Sequence, residues 1–364
     1  MKAGQLMNGS AKNMKKGTRV FERTRILAVI AVLTAVVAAA VCCQPRAAVD
    51  GARECPAADS ITVVITDSGL GGLSVVADLE RKLRESESFA EVDLIFFNAL
   101  FSPEGGYNSL PSRETKVLMF DRALNAIRQV YDPDMVLIAC NTLSVLYDDT
   151  PFAGEASTPV TGIVDGGVDL IAGCLSADST CKVIMFGTET TIEEGAHLAG
   201  LARLGSPLDR VVTQSCPQLA AYIEQDVDGA ATGLLIDAYV TEALAATGDQ
   251  GADIYVSLNC THYAYALETW RRAFADQGIN VSGFLNPNGT MADIILGAGR
   301  PGRYPEGKIR VSVVSMIEIP EEAIASIGGC LKEISPASDE ALRDYELRPG
   351  LFEWQDLFSV EDLR

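Results

Sequence analysis

From Ile61 onward, short aliphatic and β-branched runs alternate with longer amphipathic stretches. Ile61–Thr66, Asp93–Phe97, Met135–Cys140, Lys182–Gly187, Asp253–Cys260 and Ile309–Val314 read as buried parallel strands, because apolar residues dominate these short runs. Arg113–Val130, Thr191–Gly205, Thr232–Gly248 and Tyr265–Gly278 read as helices. Strand–helix alternation predicts an α/β fold with a mostly parallel sheet and right-handed crossovers. Chemistry in such folds gathers at the carboxyl ends of the strands. What each strand ends on is therefore the informative feature.

Three strand ends stand out. Ile61–Thr66 runs into Asp67-Ser68-Gly69-Leu70-Gly71-Gly72, Met135–Ala139 into Cys140-Asn141-Thr142, and Asp253–Asn259 into Cys260-Thr261-His262. The last two echo each other, each a hydrophobic strand followed by a cysteine and a small polar residue. The echo predicts two similar parallel-sheet α/β lobes related by pseudo-twofold symmetry, with an active site in the cleft between them.

The chain of 364 residues has room for two domains. Its net charge of −20 is unevenly spread: nine Lys/Arg against four Asp/Glu in the first 60 residues leave 20 against 45 in the rest. An acidic body repels phosphate backbones, which argues against nucleic acid as a partner. In the first 60 residues, Lys12, Lys15, Lys16, Arg19, Arg23 and Arg25 precede the uncharged run Ile26–Val41. That order reads as a signal or membrane-anchor segment and predicts an exported or membrane-anchored body, with a cytoplasmic location as the alternative. Nine cysteines show no CxxC or Cys/His ligand spacing, so no metal site is expected. Paired thiols would be usual for an exported protein.

Taken singly, the chemical signals have bland explanations. A strand-end cysteine is a small buried hydrophobe in most proteins. Asp-Ser-Gly after a strand is an ordinary turn or cap. Gly69-Leu70-Gly71-Gly72 lacks both the dinucleotide spacing and a Walker lysine, so no nucleotide cofactor is expected. Together, however, Asp67, Cys140 and Cys260-Thr261-His262 would fall at one sheet edge. Two cysteines on opposite lobes, each with an acid or imidazole neighbour, suit a reaction that moves a proton between two faces of one carbon. Cysteine can be tuned for such work by local charge.

The segment Thr66-Asp67-Ser68-Gly69-Leu70-Gly71-Gly72-Leu73-Ser74-Val75 resembles the amino-terminal motif of the aspartate/glutamate racemase family, in its glutamate racemase branch. Ala139-Cys140-Asn141-Thr142 and Cys260-Thr261-His262 resemble the two catalytic cysteine motifs. Thr188 and Thr191, with Gly195-Ala196 beyond, resemble the threonine-bearing substrate loop, and Ser215-Cys216-Pro217 followed by Glu224 the cysteine-proline segment. The likeness spans about residues 61–335. It implies cofactor-independent racemisation of an amino acid, L-glutamate to D-glutamate first, within peptidoglycan metabolism. Cys140 and Cys260 would be the two acid/bases, Asp67 assisting Cys140, and Glu224 and His262 assisting Cys260. Ser68, Asn141, Thr142, Thr188, Thr191 and Thr261 would bind the substrate, with Tyr107 on the substrate loop. Cys216 is expected to be structural.

The chain departs from that pattern in three places. Gly106-Tyr107-Asn108 stands for Pro-Tyr-Gly, Ile163-Val164-Asp165-Gly166-Gly167 for the Val-Glu-Pro segment, and Asn286-Pro287 where an Asp is common. These changes put the substrate, more than the reaction, in doubt. Aspartate or another amino acid is the alternative substrate, and a catalytically silent amino-acid-binding homologue the alternative class. The expected organisation is residues 1–60 as signal or anchor and linker, 61–158 as the first lobe completed by about 283–335, 159–282 as the second, and 336–364 as a poorly packed extension. Expected partners are a small amino acid and, through the first segment, a membrane; a homodimer is left open.

Overall fold

The computed structural model describes residues 59–155, 157–248 and 253–358. Lys12 to Val41, with Cys42, Cys43 and Cys55, lie outside the described residues. Among the described residues no helix is long and apolar enough to cross a membrane.

The strands are β1 (Ser60–Asp67), β2 (Glu91–Asn98), β3 (Met135–Ile138), β4 (Val160–Gly162), β5 (Lys182–Gly187), β6 (Val211–Ser215), β7 (Ile254–Asn259), β8 (Val281–Leu285), β9 (Lys308–Ser315) and β10 (Glu346–Leu347). They form two sheets, one in the order β10-β9-β2-β1-β3-β4 and one in the order β6-β5-β7-β8. Every pairing is parallel. The central strands are the most apolar because both faces are covered: Val63, Val64 and Ile65 of β1 and Val256 and Leu258 of β7 are fully buried. The run β2-β1-β3-β4 has the same order as β6-β5-β7-β8, with β1 matching β5 and β3 matching β7. The echo between the two cysteine motifs is thus a topological repeat, each cysteine following the third strand of its unit.

Several expected boundaries change. β4 pairs with β3 through Val136, Leu137 and Ile138, so Val160–Gly162 belongs to the first sheet and not to the second lobe. β8 remains in the second sheet as far as Leu285, beyond the expected boundary at residue 282. Both strands are short and only partly buried, which left little pattern to read. The helix expected over Thr191–Gly205 is broken in two, Glu189–Glu194 and Ala196–Arg203, at Gly195 with φ 62°. Left-handed backbone there ends the first helix and starts the second.

The carboxyl-terminal region is packed, contrary to expectation. Ser335 caps the helix Pro336–Arg343 by accepting from Ser338 N, and Pro336 opens it. β10 extends the first sheet, and Phe352 and Trp354 are buried in the core beneath β1–β3. Three scattered aromatic residues hold this segment, too sparse to register as a period.

In the second lobe Trp270, on the helix Leu267–Asp276, lies 4.6 Å from Phe186 of β5 and 5.7 Å from Tyr263, ring centre to ring centre. It underpins the turn that carries Cys260. Trp270→Ala should lower stability by about 3–5 kcal/mol, as truncation of a fully buried aromatic does. The buried indole N–H has no partner. Trp270→Phe should therefore cost only about 1 kcal/mol, because the lost contacts are offset by removing an unpaired donor. Denaturant midpoints of the two variants check the contrast.

Candidate active site

β1 ends at Asp67, where its neighbours β2 and β3 also end, and the chain turns sharply through Ser68–Gly72 into the helix Leu73–Ser86. The Asp67 side chain, 1% exposed, accepts from Ser68 N at 2.6 Å and from Thr261 Oγ1 at 2.7 Å. Its charge acts on the neighbouring Cys140 thiol. Ser68 Oγ lies 3.2 Å from Cys140 Sγ. Cys140 sits just past β3, at the start of the short helix Asn141–Ser144, with its sulfur buried.

Cys260 occupies the equivalent place after β7, at the start of the turn Thr261–Ala264. Its sulfur lies 3.6 Å from His262 Nδ1, and His262 Nε2 lies 2.6 Å from Glu224 Oε1. Glu224 Oε1 also accepts from Leu70 N at 2.5 Å, so this carboxylate ties the loop after β1 to the second lobe. The loop needs its glycines here. A Cβ on Gly69 would stand 2.5 Å from Glu224 Oε1, and one on Gly71 would stand 2.6 Å from His262 Nδ1.

The two environments differ electrostatically. Burial pushes the Cys140 thiol well up, and the neighbouring Asp67 carboxylate adds to this, so Cys140 is a proton-bearing thiol near neutrality. Burial likewise raises Asp67, against the opposing pull of His262. For His262, burial pulls the imidazole down, but hydrogen bonds to Cys260 and Glu224 outweigh it and hold the ring well above its ordinary value. His262 is then an imidazolium, able to donate to a negatively charged sulfur on one side and to Glu224 on the other.

Buried polar groups follow the strand ends that carry the thiols. Thr142 Oγ1 and Thr188 Oγ1 are 2.9 Å apart, as are Thr188 Oγ1 and Thr191 Oγ1, a hydroxyl chain between the lobes. The Asn141 amide is buried with neither its nitrogen nor its oxygen partnered. Such a group is costly unless a ligand or water meets it. Thr261 is less free than expected, because its hydroxyl proton goes to Asp67. The Tyr107 ring is packed in the core, and its buried hydroxyl has no hydrogen-bond partner. The structure thus brings Asp67, Ser68, Cys140 and Thr261 together, groups Cys260, His262 and Glu224 beside them, and joins Thr142, Thr188 and Thr191 in a third set. Cys216 is buried, and burial pushes its thiol up, as a structural cysteine requires.

Three features were not legible in the sequence. Asn288 Nδ2 donates to Ser74 Oγ at 2.8 Å and to Thr261 O at 3.1 Å, fastening the Cys260 turn to the first lobe. Thr190 Oγ1 donates to Asn108 Oδ1 and accepts from Lys116 Nζ, each at 2.8 Å, which links the second lobe to the Tyr107 loop. His197, buried and pulled down to about 4 by burial, is a neutral imidazole near Asn259, the residue before Cys260. A Cβ at Gly167 would stand 3.1 Å from His197 Nε2 and 3.0 Å from Asn259 Oδ1, so the glycine makes room for both. Only the unusual Asn108 was a sequence signal for any of these.

No family model matches the chain. It is 30% identical over 200 residues to the glutamate racemase of Chlorobium phaeobacteroides, a match covering 55% of this chain and 66% of that protein. It is 26% identical over 200 residues to the glutamate racemase of Aquifex aeolicus, covering 55% and 70%. The chain therefore spans about two thirds of the length of the curated relatives it matches. In fold it is similar to glutamate racemase from Campylobacter jejuni, with a TM-score of 0.56 at 19% identity, covering 75% of this chain and 97% of the other. The Francisella tularensis glutamate racemase, solved in complex with D-glutamate, gives 0.56 at 20% identity and covers 76% and 95%. With two parallel-sheet lobes and a cysteine at the end of the third strand of each, the chain belongs to the aspartate/glutamate racemase family.

Proposed function

We propose that this protein is a cofactor-independent amino-acid racemase acting on glutamate, with Cys140 and Cys260 as its two acid/bases. The observation that carries the reading is the pair of buried thiols on matching strand ends, each with separate carboxylate support. Asp67 stands beside Cys140, and His262 backed by Glu224 stands beside Cys260.

The arrangement favours one distribution of protons before substrate arrives. Cys140 carries its proton, and the His262 imidazolium can stabilise a Cys260 thiolate. A Cys260 thiolate takes the α-proton, breaking C–H and forming S–H, while Cys140 delivers its own proton to the opposite face of the carbon. The reverse direction exchanges the roles. Asn141 and the Thr142–Thr188–Thr191 hydroxyls are the donors available to the α-carboxylate, where negative charge builds during the reaction. Glu224 touches neither substrate nor sulfur in this scheme and acts through His262. The distal carboxylate of the substrate and the altered loop at Asn108 make aspartate the substrate to test against glutamate. Export through the basic segment and Ile26–Val41 is part of the same proposal, checked by fractionating cells for the full-length chain.

In deuterium oxide, the protein should place solvent deuterium at the α-carbon of both L- and D-glutamate and interconvert them. Absence of exchange with glutamate, aspartate and a wider amino-acid panel would leave only a binding role. Cys140→Ser and Cys260→Ser should each lower racemisation by about 10²–10⁴-fold, since a serine hydroxyl is too weak a base near neutrality. Each should retain exchange, at most, from one enantiomer. Near wild-type racemisation in either variant would sink the two-thiol mechanism.

The raised His262 makes a signed pH prediction. Its proton is held more tightly folded than unfolded, so the stability it contributes is complete below about pH 6.5 and lost as pH rises through the folded value. Glu224→Gln removes a group that holds that proton. The alkaline fall in stability, and the alkaline limb of the rate profile, should both move to lower pH. Chemical denaturation and initial rates across the alkaline range check it, and an unmoved limb would remove His262 from the mechanism.

A further inference from the structure

The carboxyl-terminal segment 352–358 adjoins the site through a chain of aromatic rings. Trp354 and Phe358 stack with centres 5.3 Å apart, and both meet Phe101, at 5.3 Å and 5.7 Å. Phe101 in turn stands edge-on to Tyr107 at 5.5 Å. Tyr107 is 1% exposed, and its hydroxyl has no hydrogen-bond partner. Cys140, Tyr107, Phe101, Phe352 and Trp354 all belong to one continuous apolar cluster. The segment is pinned from outside as well, because Arg122 donates to both Asp356 carboxylate oxygens and, at 2.8 Å, to Glu353 O.

The stretch just before Tyr107 has little stiffness of its own. Gly105 and Gly106 precede Tyr107, and no proline stands directly before the tyrosine. Consecutive glycines give the backbone the widest conformational range available to it and the largest entropy to lose on ordering. Something outside the loop must then hold Tyr107 in the cluster that it shares with Cys140. The rings of 352–358 are placed to do so.

We propose that the carboxyl-terminal segment is a positioning element of the active site, in which Trp354 and Phe358 clamp the Phe101–Tyr107 loop and so set the wall beside Cys140. The proposal rests on the racemase reading for its effect on turnover, but not for its effect on the thiol. Trp354 touches no reacting atom and acts through Phe101 and Tyr107. Loss of the clamp should loosen one face of the cleft, the Cys140 face, and leave the Cys260–His262–Glu224 face as it was.

The test measures alkylation of Cys140 and Cys260 separately, by iodoacetamide and mass spectrometry on the full chain. Losing an aromatic contact should raise local opening, and so Cys140 alkylation in Trp354→Ala, by about three- to tenfold. Cys260 should stay within about twofold of wild type, since it lies outside that opening. Trp354→Phe should restore protection, because a ring remains to meet Phe101. In turnover, Trp354→Ala should raise KM for the amino acid more than it lowers kcat. Arg122→Gln, which frees the segment without touching the core, should give a smaller rise at Cys140 and serves if Trp354→Ala does not fold. Equal rises at both thiols, or none at Cys140, would overturn the proposal and reduce the segment to general stabilisation. Should the protein racemise nothing, the alkylation result still decides it, so the two readings fail separately.

Discussion

A single buried carboxylate organises the meeting of the two lobes. Asp67 is almost wholly withdrawn from water, and an ionised carboxylate there is costly unless donors surround it. Ser68 N, from the first lobe, and the Thr261 hydroxyl, from the second, supply them. Satisfying Asp67 therefore brings the residue after Cys260 to the loop after β1. Glu224 repeats the device in the opposite sense, reaching from the second lobe to Leu70 N in the first. The glycines at 69 and 71 allow the close approach that both bonds require. Asn288 adds a third tie, through Ser74 and the Thr261 carbonyl.

The same repeat that duplicates the thiols also makes them unequal. β1-β3 and β5-β7 place Cys140 and Cys260 at equivalent strand ends. Burial, with the Asp67 carboxylate adding to it, keeps the proton on Cys140, whereas Cys260 lies beside an imidazole that hydrogen bonds to Cys260 and Glu224 hold positive against burial. A backbone repeat does not dictate this difference. It arises because β1 ends in an acid, Asp67, while the turn after β7 carries a histidine within reach of the helix Leu219–Gln225. The two thiols, alike in backbone position, therefore differ in their charged neighbours.

Further supports lie away from the sulfurs. Thr190 joins Asn108 and Lys116 across the lobes. On the opposite side of the Tyr107 loop, Phe101 carries the rings of Trp354 and Phe358. A loop rich in glycine thus has contacts on both sides. Behind Cys260, neutral His197 and Asn259 share the space that Gly167 leaves.

Residue order alone settles the α/β class, the central strands and the residues at their ends. Those strands are buried on both faces, so their apolar runs are continuous and their carboxyl ends are easy to locate. Asp67, Cys140 and Cys260 were legible for that reason, and the motif resemblance supplied Glu224, which no local pattern would have singled out. What it did not determine was anything carried by short or half-exposed elements. β4 and β8 are too brief to show a period, and their sheet membership depends on which edge they meet. The carboxyl-terminal segment is bound by a few separated rings whose partners lie more than two hundred residues earlier, so no local window contains the interaction. The Asp67–Thr261 and Glu224–Leu70 bonds span 194 and 154 residues. Only tertiary structure could decide them, because the donors and acceptors are ordinary in sequence and acquire their roles through burial in one another's company.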